Sequence, residues 1–437
     1  MTSARLGDGR SYRRIGDTRD ADPAMAADSG RSVTAPRRLR VLVFTTVFPN
    51  PAQPLHGVFV AERLKRLARS VDVRVVAPVA RLPWRLDSVP RRVMLDGLEV
   101  RHPTFVYVRG ILKWLDGFFL FLSSLNAVND VKRTFDFDLI DAHFAYPDGL
   151  AALLLGWLFH RPVTVTERGT LATFRRGSLR RRLAEWTLRR VDRVIAVAPP
   201  LADLAVSAGA SAERVIVIEN GVDTERFALR ERAAARKRLG VSPSARLLLS
   251  VGHLAKRKGF QRVISVMPKL VAEVPELQLA IVGGPGAEGN IHAQLASMVR
   301  YLGLEGRVVL VGAQPPDAVA EWLNAADVFI LASDHEGSPN VIWEALASGR
   351  PVVTSRVGDV VRMVPEFAGI VYDDPHDVNQ LASCLADALS RQWDEDRIRA
   401  HGQAHGWDGV ARRVLAQWSA ALGPEFEARL AGGGSAD

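Results

Sequence analysis

The chain has 437 residues, is 48% hydrophobic and carries a net charge of +9, enough apolar content for two ordinary cores and too much for a disordered chain. Its single cysteine, Cys384, excludes an internal disulfide and suits a reducing compartment. No apolar run reaches the ~18–20 residues of a membrane span, and the arginine-rich start lacks the apolar stretch of a secretory signal, so a cytoplasmic location is expected.

In chain order, residues 1–37 are rich in Arg, Asp, Gly and Ser and are expected to form a disordered basic extension. A first domain is predicted over 38–225. Its opening strand, 41–46, leads into a long loop containing His56 and Gly57 and then a helix through Glu62, Leu64 and Leu67. Apolar runs at 73–77, 138–142, 163–166, 193–197 and 214–218, separated by helical segments, have the composition of strands buried on both faces of a parallel sheet. A second domain, 226–405, repeats the pattern with strands near 247–251, 278–283, 307–311, 327–331, 351–354 and 370–371. The hinge is expected within 223–242. A terminal helix over 406–423, marked by Trp407, Val410, Val414 and Trp418, precedes a Gly-rich tail, 424–437. Cys384 lies in an apolar helical stretch and reads as core.

Charge is uneven along this plan. Residues 1–220 hold 34 Lys and Arg against 22 Asp and Glu, a net of +12, while residues 221–437 hold 23 against 26, a net of −3. The densest basic run, Arg175, Arg176, Arg180, Arg181 and Arg182, precedes Leu183, Trp186 and Leu188. It reads either as a solvated helix face or as a surface for an anionic membrane. A nucleic-acid reader motif is lacking.

The most informative segment runs from Ser333 to Ala345 and sets Glu336 and Glu344 eight residues apart across a loop-to-helix junction. Gly337, Ser338 and Pro339 read as the turn and N-terminal positions of a helix that continues through Val341 to Ser348 and stops at Gly349. Unpaired amides at such a helix start, near Asn340 and Val341, can hold a diphosphate. Glu336 can then accept hydroxyl protons from a hexose and Glu344 from a ribose. On its own this pattern is equally a capped surface helix with two solvated carboxylates.

Its neighbours make the difference. The pattern Glu336-Gly-x-Pro-Asn340-x-x-x-Glu344-Ala345, followed by Gly349-Arg-Pro-Val-Val353, resembles the retaining family-4 glycosyltransferases of the GT-B fold. Gly252-His253-Leu-Ala-Lys-Arg-Lys258-Gly259 resembles that family's diphosphate-gripping block, with Lys258 at the lysine and His253 where an arginine is usual. Asn220-Gly-Val-Asp223, the run from Asp327 to Ser333, and Gly369 to Tyr372 follow in family order. In the first domain, Gly57 stands at the loop that approaches the diphosphate. His143 matches the second histidine of a His-x-His segment whose first is replaced by Asp141. Arg168-Gly169 resembles an acceptor-side Arg-Gly-x-Asp in which Leu171 replaces the aspartate.

The resemblance implies an α/β fold of two doubly wound Rossmann-like domains facing each other across a cleft, with the terminal helix returning to the first. It implies Lys258, Glu336 and His143 as catalytic groups. Gly57, His253, Gln314, Gly337, Asn340, Val341 and Glu344 join Lys258 and Glu336 around the donor, with the base near 312–314. Arg168 and Gly169 lie on the acceptor side. No cofactor and no metal are expected; the donor would be a nucleoside diphosphate sugar, UDP first and GDP next, and nucleic acid is not a partner. The implied activity is hexose transfer to a lipid-linked saccharide or glycolipid of a surface polysaccharide, at the inner face of the cell membrane. The alternatives are an epimerase, a transferase to a soluble acceptor, or an idle sugar-nucleotide or membrane-binding module.

Two other motifs read differently. Gly284-Pro-Gly286-Ala-Glu-Gly289 matches G-x-G-x-x-G, but a dinucleotide fingerprint belongs to the first strand of its domain, and an earlier strand already ends at Gly252. Asp136-Phe-Asp138 and Asp394-Glu-Asp396 resemble a metal-binding Asp-x-Asp, one ahead of a strand and one in a late helix, neither beside the nucleotide.

Overall fold

A computed structural model describes residues 37–54, 56–81, 89–106, 112–286 and 288–424, with backbone alone at 3–5, 11–14, 81 and 106. The chain divides into two compact units. The first ends at Ile218 and takes in the residues from Ala411 onward; the second is Glu219–Val410. The division falls a few residues before the predicted hinge.

The first unit carries β1 (Ser3–Arg5), β2 (Ser11–Arg14), β3 (Arg40–Phe44), β4 (Asp72–Val76), β5 (Val79–Arg81), β6 (Arg92–Leu95), β7 (Leu98–Arg101), β8 (Thr104–Val106), β9 (Leu139–His143), β10 (Val163–Glu167), β11 (Arg193–Ala196) and β12 (Val215–Val217). Ten of them form one sheet in the order β1-β2-β6-β7-β4-β3-β9-β10-β11-β12, and β5 pairs with β8 apart from it. From β7 to β12 the ladder is parallel. Strands β3, β9 and β10 are buried almost throughout, which is why they read as unbroken apolar runs.

The antiparallel pair β6–β7 was not foreseen. It turns at Asp96-Gly97, both with positive φ (48° and 83°), the backbone of a two-residue hairpin. Residues 1–37 were expected to lack regular structure; β1 and β2 are instead an antiparallel pair, with β2 also paired to β6. The remainder of that extension, to residue 36, and the tail from 425 lie outside the described residues.

The second unit has β13 (Arg246–Val251), β14 (Leu277–Val282), β15 (Val308–Gly312), β16 (Val328–Leu331), β17 (Val352–Ser355) and β18 (Gly369–Tyr372), all parallel, in the order β15-β14-β13-β16-β17-β18. Both units are therefore the doubly wound α/β sheets expected. Within the parallel ladder of each, the strand order reverses at one point, between β3 and β9 and between β13 and β16. Loops leaving the carboxyl ends of two such neighbours splay apart and open a crevice where ligands bind in this architecture.

Apolar side chains fill both faces of the second sheet. Leu247, Leu249 and Phe329 pack toward Trp343 and Leu346, while Leu248, Ile281 and Ile330 pack toward Phe260 and Leu385. Cys384 is half-buried against the latter layer, and burial pushes its thiol up. The last helix, Trp407–Leu422, begins in the second unit and ends in the first, where Arg413 donates to the carbonyl of Val217. Among the described residues, no helix is long and apolar enough to cross a membrane.

Candidate active site

At the reversal point of the second unit, the loop after β13 carries Lys258 and the loop after β16 carries Glu336. Lys258 closes a short 3-10 turn, and Gly259 caps the helix Phe260–Glu273 with φ +72°. A Cβ on Gly259 would lie 1.8 Å from the carbonyl oxygen of Ala332, at the end of β16. That close approach brings the two loops together. Lys258 Nζ donates to Glu336 Oε1 at 2.6 Å, and Ser333 Oγ donates to the same oxygen at 2.6 Å. Glu336 is 8% exposed, so its carboxylate is held by charge-assisted bonds rather than by water.

Gly259→Ala is expected to cost about 1–3 kcal/mol from the backbone conformation alone and to separate Lys258 from Glu336. Urea unfolding checks the first effect and a donor titration the second. A variant with wild-type donor affinity would show that this contact does not set the site.

The helix after Glu336 is Asn340–Ala347, with Pro339 at its cap and Gly349 (φ +73°) ending it. Asn340 Oδ1 accepts from Asn220 Nδ2 at 2.9 Å, so the Asn-Gly-Val-Asp block braces the start of this helix. Val341 is half-buried, and a Cβ on Gly337 would meet nothing within 4 Å, leaving open space over the turn.

Glu344 lies one turn further in, partly buried. Burial pushes its carboxyl up to about 7, with Arg226 acting in the opposite sense. No side-chain hydrogen bond holds it among the described residues. Because the folded state raises this pKa, the associated stability is present at low pH and lost as pH rises through about 7. Glu344→Gln is therefore expected to stabilise the ligand-free chain at pH 8, by up to about 3 kcal/mol, and to change little at pH 5. Urea midpoints of both proteins at the two pH values measure this.

His253 lies in the loop after β13. Burial, Lys258 and Arg257 lower its pKa, leaving it neutral at pH 7, and its ring packs against Gly286, where a Cβ would lie 2.4 Å from Nδ1. The guanidinium beside the glutamate loop belongs to Arg257. Its Nη1 donates to the His335 carbonyl at 2.9 Å and lies 3.6 Å from Glu336 Oε1. Gln314, in the loop after β15, turns its amide toward the Val311 carbonyl at 3.5 Å. The Gly284–Gly289 segment is a loop with a bridge between Gly286 and Gly289, and the next helix starts only at His292. It thus lacks the strand-to-helix turn a dinucleotide fingerprint requires.

The first unit gathers its own group at the ends of β9 and β10. His143 is fully buried; its Nδ1 accepts from Arg168 Nε at 3.2 Å, and its Nε2 lies 3.6 Å from Asp141 Oδ2. Burial, reinforced by Arg63 and Arg168, holds His143 well below its usual pKa. It is a neutral imidazole with the proton on Nε2, since Nδ1 accepts. Asp141 is bonded to Arg63 Nη2 at 2.9 Å and to Thr164 Oγ1 at 2.6 Å, and Arg63 also reaches Thr166 Oγ1 at 3.0 Å.

Arg168 turns inward, to His143 and over the Phe59 ring at 4.6 Å. The neighbouring Glu167 is buried and accepts from the amides of Ala145, Gly169 and Leu171. Gly169 (φ +107°) is the turn residue that lets Glu167 do this. Gly57 (φ +73°) starts the first helix, and a Cβ there would lie 2.4 Å from the Val47 carbonyl oxygen. Asp148 accepts from Thr46 N at 2.7 Å and from Thr46 Oγ1 at 2.9 Å, tying the loop after β3 to the loop after β9; burial pushes its carboxyl up to about 7.

Asp136 and Asp138 are engaged by Arg161 and Arg37, and Asp394 caps the helix Glu395–Gln403, so neither Asp-x-Asp is a free metal-binding pair. No group of three or more potential metal ligands occurs among the described residues.

Residues 231–405 match the family model "Glycosyl transferases group 1", and residues 56–226 match "Glycosyltransferase Family 4". A D-inositol 3-phosphate glycosyltransferase of Thermobispora bispora is 34% identical over 222 residues, 48% of this chain and 51% of that protein. For this relative, the matched region spans about half its length. The protein of that name from Kribbella flavida is 28% identical over 84% of this chain and 90% of its own. The putative teichuronic acid biosynthesis glycosyltransferase TuaC of Bacillus subtilis is 26% identical over 81% and 89%. Among solved structures, sucrose-phosphate synthase from Thermosynechococcus elongatus superposes with a TM-score of 0.72 at 21% identity, over 88% of this chain and 99% of that one. The Anabaena protein HepE, solved with UDP, gives 0.67 at 18%, over 87% and 100%. At these identities the structural likeness speaks to the fold, which is GT-B.

Proposed function

We propose that this GT-B glycosyltransferase moves a hexose, with retention of anomeric configuration and without a metal, from a nucleoside diphosphate sugar to a saccharide carried on lipid. The observation that carries the donor half is the meeting of Lys258, Ser333 and Glu336 at the strand reversal, one turn ahead of the helix start at Asn340. Breaking the anomeric C–O bond puts negative charge on the departing diphosphate. The Lys258 ammonium and the amides near Asn340 and Val341 meet that charge. Glu336, released from Lys258 when the diphosphate takes the ammonium, accepts from hexose hydroxyls, and Glu344 accepts from the ribose. The acceptor hydroxyl attacks the face the diphosphate leaves, and its proton passes to the leaving phosphate oxygen. UDP is the preferred carrier, in keeping with the UDP complex of HepE, and GDP is next.

A second reading, transfer to a soluble phosphorylated cyclitol, is favoured by the names of the inositol 3-phosphate relatives. The net charge of +12 on residues 1–220 suits either a lipid phosphate or a soluble one. The test offers UDP- and GDP-hexoses with a lipid extract and, separately, with inositol phosphate. Label entering the organic phase supports the lipid acceptor; label on inositol phosphate alone replaces it with the second reading. Release of free monosaccharide as the sole product would point to an epimerase and sink both.

A further inference from the structure

The loop after β17 lies against the glutamate loop at the strand reversal of the second unit. It runs from Arg356 to Asp359 and leads into a short helix, Val360–Met363. Ser355 Oγ donates to the Ser333 carbonyl at 2.6 Å, the Asp359 amide donates to the Gly337 carbonyl at 3.0 Å, and Ser338 Oγ reaches Met363 Sδ at 4.0 Å. Between them Gly358 has φ +57°, and a Cβ there would lie 2.2 Å from the Glu336 carbonyl oxygen. Only glycine allows backbone so close. Asp359 therefore stands beside the turn that carries Glu336.

Asp359 has an unfilled hydrogen bond. The residue is 4% exposed, and its Oδ2 is buried with no hydrogen-bond partner among the described residues. Its Oδ1 lies 3.8 Å from Arg362 Nη1, beyond hydrogen-bond reach, while Arg362 Nη2 is 3.2 Å from Glu219 Oε1. Burial and the neighbouring Glu219 push the Asp359 carboxyl up, with Arg362 acting in the opposite sense. A buried acceptor without a donor is a standing cost to the fold. A ligand that brings the donor removes it. The surroundings select that ligand's chemistry. With Glu219 beside Asp359, an approaching phosphate meets negative charge. A cation would have Arg362 as a competitor, and no group of three or more potential metal ligands occurs among the described residues. A neutral group rich in O–H donors, such as a sugar, fits.

We propose that Asp359 determines which hexose the enzyme takes from its donor, Oδ2 accepting from one sugar hydroxyl while Glu336 accepts from another. The open space over Gly337 admits the ring. Arg362, whose side chain is 58% exposed, stays with Glu219 as the hydroxyl enters. A sugar without that hydroxyl leaves the acceptor unpaired in the complex as well, so it binds more weakly. The inference rests on the reading of this crevice as the donor site and adds to it the residue that chooses the sugar.

The test is calorimetric titration of UDP, GDP, UDP-glucose, UDP-galactose, GDP-mannose and monodeoxy forms of these sugar nucleotides into wild type, Asp359→Ala and Asp359→Asn. Urea midpoints establish that the variants fold. Wild type is expected to bind one parent donor, and to bind the form lacking one particular hydroxyl roughly 10-fold or more weakly. Asp359→Ala should lose that factor on the parent donor, match wild type on that one deoxy form, and bind the free nucleoside diphosphate unchanged. Asp359→Asn keeps one acceptor oxygen and should recover part of the loss. A purely structural role would weaken parent, deoxy form and free nucleotide alike, and that result overturns the proposal. So does a variant that binds every ligand as wild type does. In both cases the donor site stands, because wild type still binds its nucleotide. Wild type that binds none of these nucleotides brings down the donor site and this inference together.

Discussion

Lys258→Ala is expected to lower kcat by roughly 100-fold or more, the usual scale for removing one preorganised donor to a charge that develops in the transition state. The geometry makes the effect twofold. Lys258 Nζ is the cation bonded to Glu336 Oε1 at 2.6 Å; without it, the leaving diphosphate loses its ammonium and a nearly buried carboxylate loses its counter-charge. Arg257, 3.6 Å from the same oxygen, can take up part of the second loss but not the first. The variant should therefore stay folded, with a modest fall in stability, while turnover collapses. Lys258→Arg should recover part of the activity, since charge is retained and reach is altered. Steady-state kinetics with saturating donor reads the effect; turnover within threefold of wild type would remove Lys258 from the chemistry.

The largest stability effect is expected at Arg63, which has no motif to announce it. Its side chain is 2% exposed and that of its partner Asp141 is 0%. Removing one member of a buried ion pair leaves an uncompensated charge, which typically costs about 3–5 kcal/mol. Arg63→Met should therefore unfold at markedly lower urea. The same change takes away one of the two cations that keep His143 neutral, so the His143 pKa, followed by NMR at residual stability, should rise. Replacing both partners, as Arg63→Met/Asp141→Leu, should restore much of the loss. If the double variant is as unstable as the single one, the pair is not the source.

Much of this was legible in the chain because it depends on local pattern. Strands such as β9, β10 and β16 are buried on both faces and read as apolar runs; the start of the helix at Asn340 follows from Ser338-Pro339, and its end from Gly349. The hairpin β6–β7 was legible and missed: Leu95-Asp96-Gly97-Leu98 is a two-residue turn signal between alternating residues. Arg63 was not legible in the same way. Its partners Asp141 and Thr166 are 78 and 103 residues away, and only the sheet order brings them together. Arg257 was hidden differently, as one cation in Lys256-Arg257-Lys258; the 3-10 turn sets Arg257 and Lys258 on the glutamate loop from two directions. The motif positions of His253 and Arg168 do not show the packing of one against Gly286 or the inward turn of the other to His143, since both contacts are made across the fold.

The donor site is tested most directly by calorimetric titration of UDP, GDP and NAD in EDTA into wild type and Glu344→Ala. One nucleoside diphosphate should bind the wild type in EDTA and bind the variant at least ~10-fold more weakly, the loss expected for one hydrogen bond to a carboxylate. Binding of NAD alone, or of a nucleoside diphosphate equally well to both proteins, would contradict a donor site built on Lys258, Glu336 and Glu344.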